Sequence, residues 1–134
     1  MNVIVDSSVW SLALRRKAPR STPPELELIE LIREGRVLML GPIRQELLSG
    51  VRSADQLKKV RDAMRAFSDV VLEEADYEEA ASCFNRCRAK GIQGSNTDFL
   101  ICAVALLRNA AVLTSDDDFA HFTRILHVNL HALR

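Results

Sequence analysis

The sequence predicts an α/β fold with a short, mostly parallel central sheet flanked by helices. Three observations carry that prediction. Short apolar runs, among them Val3 to Val5, Val37 to Leu40 and Val112 to Thr114, alternate with stretches of helical periodicity. Helix start and stop signals punctuate the chain between them. The segment Phe99 to Leu107 (FLICAVALL) is apolar on every side, the mark of a helix buried all round.

The first run ends abruptly at Asp6, so a buried strand delivers a carboxylate to its own carboxyl end. Ser7 and Ser8 follow as the cap of a short helix carrying Trp10, Leu12 and Leu14. Arg15, Arg16, Lys17 and Arg20 form a cationic loop near that first acid, read either as a holder of a phosphate backbone or as a solvated loop. Thr22 and Glu25 make a capping box with Pro23 at the first helical position, opening a helix expected to turn Leu28, Ile29 and Ile32 inward. Gly35 closes it.

Val37 to Leu40 is a second strand, and Gly41 with Pro42 turns it into a helix with Ile43, Leu47 and Leu48 inward and Glu46 just past its first turn. Ser53 and Gln56 form a further capping box before an amphipathic, basic helix. Val70 to Leu72 is expected as a third strand. Asp76 and Glu79 then cap a helix with Tyr77, Ala80, Ala81, Phe84 and Cys87 on one face. The all-apolar helix carries Asp98 in its first turn, where the helix dipole favours a carboxylate. Val112 to Thr114 is a fourth strand that runs into Asp116, Asp117 and Asp118. A short helical piece around His121 to Arg124 and a weak strand, His127 to Leu130, complete the series.

A length of 134 residues fits one domain able to bury a core. Eighteen basic residues balance eighteen acidic ones, so a nucleic-acid partner must be met by a local basic face. No apolar run approaches the roughly 18 residues of a membrane helix and no secretory leader is apparent, giving a cytoplasmic expectation. Cys83, Cys87 and Cys102 are expected as reduced thiols in the core; a zinc site with His127 and His131 is the weaker reading of their spacing.

The acids converge by topology alone. Asp6 and Asp116 directly follow strands, and Glu46 lies early in the helix leaving the second strand. The helix that starts near Asp98 feeds the strand at Val112, so it runs antiparallel to that strand and begins beside the strands' carboxyl ends. Singly, Asp98 reads as a capping acid, Glu46 as a surface glutamate and Asp116 to Asp118 as a turn. Jointly they read as a site, because like charges held together call for a compensating cation. Oxygen-only ligands select Mg²⁺ or Mn²⁺, and carboxylates holding such ions suit phosphodiester cleavage.

These motifs resemble the PIN-domain ribonucleases, and more narrowly the VapC-type toxins of bacterial VapBC toxin-antitoxin pairs. The resemblance rests on VIVDSSVW, on Glu46 in GPIRQELLSG, on Asp98 in SNTDFLICAVA and on VLTSDDDF. It implies a single PIN-like domain over residues 1–134 with an acidic quartet on Asp6, Glu46, Asp98 and Asp116. Asp118 matches a further acid, and Thr114 a supporting hydroxyl. It also implies a metal-dependent endoribonuclease cutting structured RNA such as transfer or ribosomal RNA, a homodimer, and a small VapB-type antitoxin as partner. The third consecutive acid, Asp117, departs from the pattern; Asp118 is favoured over it as lying on the side of Asp116 in an extended segment. One ion or two is left open. The competing readings are a catalytically silent PIN-fold binding module and a phospho-receiver-like signalling domain, the latter lacking a paired acid beside Asp6 and a lysine in the last strand.

Overall fold

The computed structural model describes residues 1–14 and 22–134, so the basic residues Arg15, Arg16, Lys17 and Arg20 lie outside the described residues. The described elements run β1 (Val3–Val5), α1 (Ser7–Leu14), α2 (Pro23–Arg33), β2 (Val37–Leu38), α3 (Gly41–Leu48), α4 (Ala54–Met64), α5 (Glu74–Arg88), α6 (Asn96–Leu107), β3 (Ala111–Leu113) and α7 (Asp118–Leu126). The three strands form one parallel sheet in the order β2-β1-β3.

β1 is the centre of that sheet, and Val3, Ile4 and Val5 are fully buried. A strand covered on both faces reads as a continuous β-branched run, which is what the sequence shows. The register pairs Val5 with Leu113 and Ile4 with Leu38, so β1 and its neighbours all end toward one edge. The all-apolar helix is α6, with Phe99 to Ala105 buried without interruption against α5 and the sheet. Phe99 anchors an aromatic cluster with Phe84 and Phe122, whose ring centres lie 5.4 and 5.0 Å away.

Four expectations are corrected. On α2 the inward residues are Glu27, Leu28 and Leu31, while Ile29 and Ile32 are exposed. The helix is rotated because Glu27 is drawn inside by the distant C-terminal segment: its Oε1 accepts from Arg134 Nε at 2.9 Å and lies 2.8 Å from His131 Nε2. Val70 to Leu72 forms no strand; the chain touches β2's end only at a bridge from Met39 to Asp69, where Arg44 Nε donates to Asp69 Oδ1. His127 to Leu130 likewise reduces to one bridge, Val112 to Leu130. On α5 the buried residues are Asp76, Cys83 and Cys87, whereas Tyr77 and Ala81 are exposed.

Local signals account for the helix ends. Gly35 follows α2 at φ +66°, a left-handed position that glycine takes without strain. Ser53 Oγ accepts from Gln56 N, but the Gln56 side chain reaches Leu14 O instead of closing the box. Thr22 likewise makes no backbone cap, its hydroxyl donating to Glu25 Oε1 at 3.0 Å. All three cysteines are buried and unlinked, and burial pushes the Cys83 thiol up to about 11.

Candidate acidic site

β1 ends at Asp6, and the turn into α1 is built from the carboxylate outward. Asp6 Oδ1 accepts from Ser7 N at 2.8 Å, and Oδ2 accepts from Ser8 Oγ at 2.8 Å and from Thr114 Oγ1 at 2.9 Å. Asp6 is only 5% exposed, and its named partners are all neutral donors. A carboxylate offers about four acceptor positions, so this set leaves capacity for one more partner.

The β3 end is tied to the same group. Thr114 Oγ1 also accepts from Asp116 N at 3.0 Å, and Ser115 N donates to Ser8 Oγ at 3.1 Å. The loop carrying Asp116 is thereby sutured to the β1–α1 turn. Past it, Asp116 Oδ1 accepts from Asp118 N at 2.9 Å, an aspartate turn that starts α7. This corrects the extended reading of Asp116 to Asp118: Asp117 has helical angles (φ −63°, ψ −19°) and Asp118 is the first residue of α7, so strand alternation does not relate Asp118 to Asp116.

Asp98 closes a true capping box, accepting from Ser95 N at 3.1 Å while Ser95 Oγ accepts from Asp98 N at 3.0 Å. The capping reading and the site reading are both satisfied by one side chain. Burial pushes the Asp98 carboxyl above its ordinary value, against the Ser95 hydrogen bonds and with the negative charges of Asp6 and Asp116 adding to the rise. Three acids from three separate segments thus share one electrostatic environment. Glu46 stands on α3, exposed, and Ser7 Oγ donates to its Oε2 at 2.9 Å.

Among the described residues no Lys, Arg or His forms an ion pair with Asp6, Glu46, Asp98 or Asp116. Nor, among them, do three or more His, Cys, Asp or Glu side chains stand in a ready-made metal cage, whether carboxylate or zinc. The fit to a hard divalent cation therefore lies in chemistry and charge: oxygen donors only, a buried carboxylate without a cationic partner among the described residues, and a neighbour, Asp98, whose ionisation is opposed first by burial and then by the charges of Asp6 and Asp116.

The structure ties Asp6, Thr114 and the Asp116 loop by hydrogen bonds and leaves Asp98 in their electrostatic reach, whereas the sequence reading treats Ser7 and Ser8 mainly as caps. Their hydroxyls instead reach Glu46, Asp6 and the Asp116 loop. The available signal was the pair of adjacent hydroxyl residues directly after a strand-terminal acid, a position where one side chain points to each neighbouring segment.

A family model described as PIN domain matches residues 3–125. None of the curated proteins matches. Among solved structures, VapBC2 from Rickettsia felis bound to a DNA fragment from their promoter is 19% identical, with 98% of each chain covered and a TM-score of 0.78. FitAcB from Neisseria gonorrhoeae is 18% identical over 97% of this chain and 96% of that one, with a TM-score of 0.77. A toxin-antitoxin complex from Klebsiella pneumoniae is 17% identical over 89% and 91%, with a TM-score of 0.63. At such identities the likeness is one of fold. With the family model spanning β1 to α7 and both terminal motifs of the acidic edge inside it, the chain belongs to the PIN domain family.

Proposed function

We propose that this PIN domain is a divalent-metal-dependent endoribonuclease, the toxin of a VapC-type toxin-antitoxin pair, acting as one domain on structured RNA such as transfer or ribosomal RNA. The observation that carries the reading is the hydroxyl lattice around buried Asp6, in which Thr114 ties its carboxylate to the Asp116 loop and Ser7 links it to Glu46, at an edge with no cationic partner among the described residues. Asp6, Asp98 and Asp116 would hold the ion, Mg²⁺ or Mn²⁺, with Asp118 as a further ligand candidate from the first turn of α7. When bound, such an ion polarises the phosphodiester and lowers the pKa of a water ligand.

The chain's own residues supply the rest. Thr114 and Ser8 occupy both acceptor positions of Asp6 Oδ2, which fixes the carboxylate and leaves its remaining acceptor direction on Oδ1. Glu46, anchored by Ser7, orients or deprotonates the attacking water, or holds a second ion. Arg15, Arg16, Lys17 and Arg20 are the candidates for the RNA backbone. A small antitoxin belongs to the same reading, supported by the toxin-antitoxin complex that shares the fold, and a homodimeric state is part of the proposal. The absence of a ready-made metal cage among the described residues favours one second reading, a catalytically silent PIN-fold binding module.

Purified Asp6→Ala and Asp98→Asn proteins, folded by circular dichroism, are expected to lose Mg²⁺-dependent cleavage of total RNA. Full activity in both would end the reading.

A further inference from the structure

Glu46 differs from the other acids in how it is held. Asp6 is buried and fixed by three donors, and Asp98 and Asp116 are each fixed by backbone amides of their own turns. Glu46 is an exposed side chain on α3, and its one described side-chain hydrogen bond comes from Ser7 Oγ, 39 residues earlier in the chain. A glutamate on an open helix face has several rotamers available, and a hydrogen bond to its charged carboxylate selects among them. Ser7 is itself fixed, because its backbone N–H is bound to Asp6 Oδ1 and it opens α1. One residue therefore touches two acids at once, with its amide on Asp6 and its hydroxyl on Glu46.

We propose that Ser7 is the positioning residue of the acidic site, aiming the Glu46 carboxylate from α3 toward the ion shared with Asp6. This rests on the metal-site reading given above. Ser8 and Thr114 perform the corresponding task for the Asp116 loop, so the two adjacent serines divide the work: Ser7 joins α3 to β1, and Ser8 joins β3 to β1. Among the described hydrogen bonds, that from the Ser7 hydroxyl is the one that directs the Glu46 side chain, and α3 itself ends two residues later at Leu48.

The test is a double-mutant cycle on Mn²⁺ affinity, read by calorimetry on the full chain, with Ser7→Ala, Ser7→Thr, Glu46→Gln and the Ser7→Ala, Glu46→Gln pair. Ser7→Ala is expected to weaken Mn²⁺ binding about tenfold, the size of a lost hydrogen bond to a charged group. In the Glu46→Gln background the same change is expected to do nothing, and Ser7→Thr, which keeps the hydroxyl, restores wild-type affinity. RNA cleavage by Ser7→Ala should show a lowered kcat at unchanged KM. Equal Mn²⁺ affinity for wild type and Ser7→Ala together with unchanged kcat, or an equal loss in both backgrounds, overturns the positioning role and leaves the metal site standing. A wild-type protein that binds no Mn²⁺ instead removes the metal site, and the positioning role with it.

Discussion

Thr114 Oγ1 donates to Asp6 Oδ2 at 2.9 Å across 108 positions of sequence, joining the ends of β3 and β1 through a single hydroxyl. The same oxygen accepts the Asp116 amide, so it sets the spacing between the first and last acids of the site. Thr114→Val keeps the β-branched shape and removes both bonds. It is expected to cut RNA cleavage and Mn²⁺ affinity about tenfold with little change in melting temperature, while Thr114→Ser retains both; kinetics beside calorimetry check this.

Gly94 sits where the chain enters the Ser95 cap of α6, and a Cβ there would lie 2.6 Å from Phe122 Cζ and 3.0 Å from a Phe99 ring carbon. Those rings are buried in the aromatic cluster and have little room to yield. Gly94→Ala is expected to cost about 2 kcal/mol of stability by overpacking, measured by urea unfolding. Because Ser95 and Asp98 are reciprocally bonded, it should also weaken Mn²⁺ binding.

Asp76 is 2% exposed and bound to the Arg108 guanidinium at both carboxylate oxygens, with Glu73 N donating at 2.8 Å. This pair ties the start of α5 to the end of α6, the two helices that frame the apolar core behind Asp98. Asp76→Ala removes the capping acid and leaves Arg108 without its partner. A loss of about 3 kcal/mol is expected, seen as a melting temperature lower by about 10 °C.

Stability should fall on the acid side. The Arg108 hydrogen bond holds the Asp76 carboxyl below its ordinary 3.8, outweighing the cost of burial. Burial pushes Glu27 up, but hydrogen bonds from His131 and Arg134 outweigh it and hold the carboxyl below 4.5. A carboxyl depressed in the folded state adds stability above its unfolded value and loses it as pH falls through its folded value. Urea midpoints are therefore expected to hold steady from neutral pH down to about 5 and drop below it. Glu27→Gln should lower the neutral plateau and flatten part of the acid limb.

The elements that local pattern specifies were readable in the sequence. β1, β2 and β3 are short β-branched or apolar runs, and α6 declares itself by being apolar all round. Because topology follows from alternation, the placement of Asp6 and the Asp116 loop at neighbouring strand ends, tied through Thr114, was readable too. What escaped is set by non-local partners. α2 carries apolar residues on two faces, and only Arg134 and His131, more than a hundred positions away, decide that Glu27 and not Ile29 turns inward. Val70 to Leu72 has strand composition but follows a segment held by Arg44 and leads into the Glu73 cap, so it makes no ladder. The helical turn at Asp117 follows from the Asp116 carboxylate bonding Asp118 N, a local device that three like residues in a row conceal.

The central claim is that the acids of this edge hold a divalent ion that drives RNA cleavage. Incubating the purified wild-type protein and Asp98→Asn with structured RNA, with Mg²⁺ and with chelator, tests it most directly. Discrete cleavage products are expected only from wild type with Mg²⁺, abolished by chelator and restored by added Mn²⁺. Cleavage that persists in chelator, or in Asp98→Asn at the wild-type rate, would contradict it.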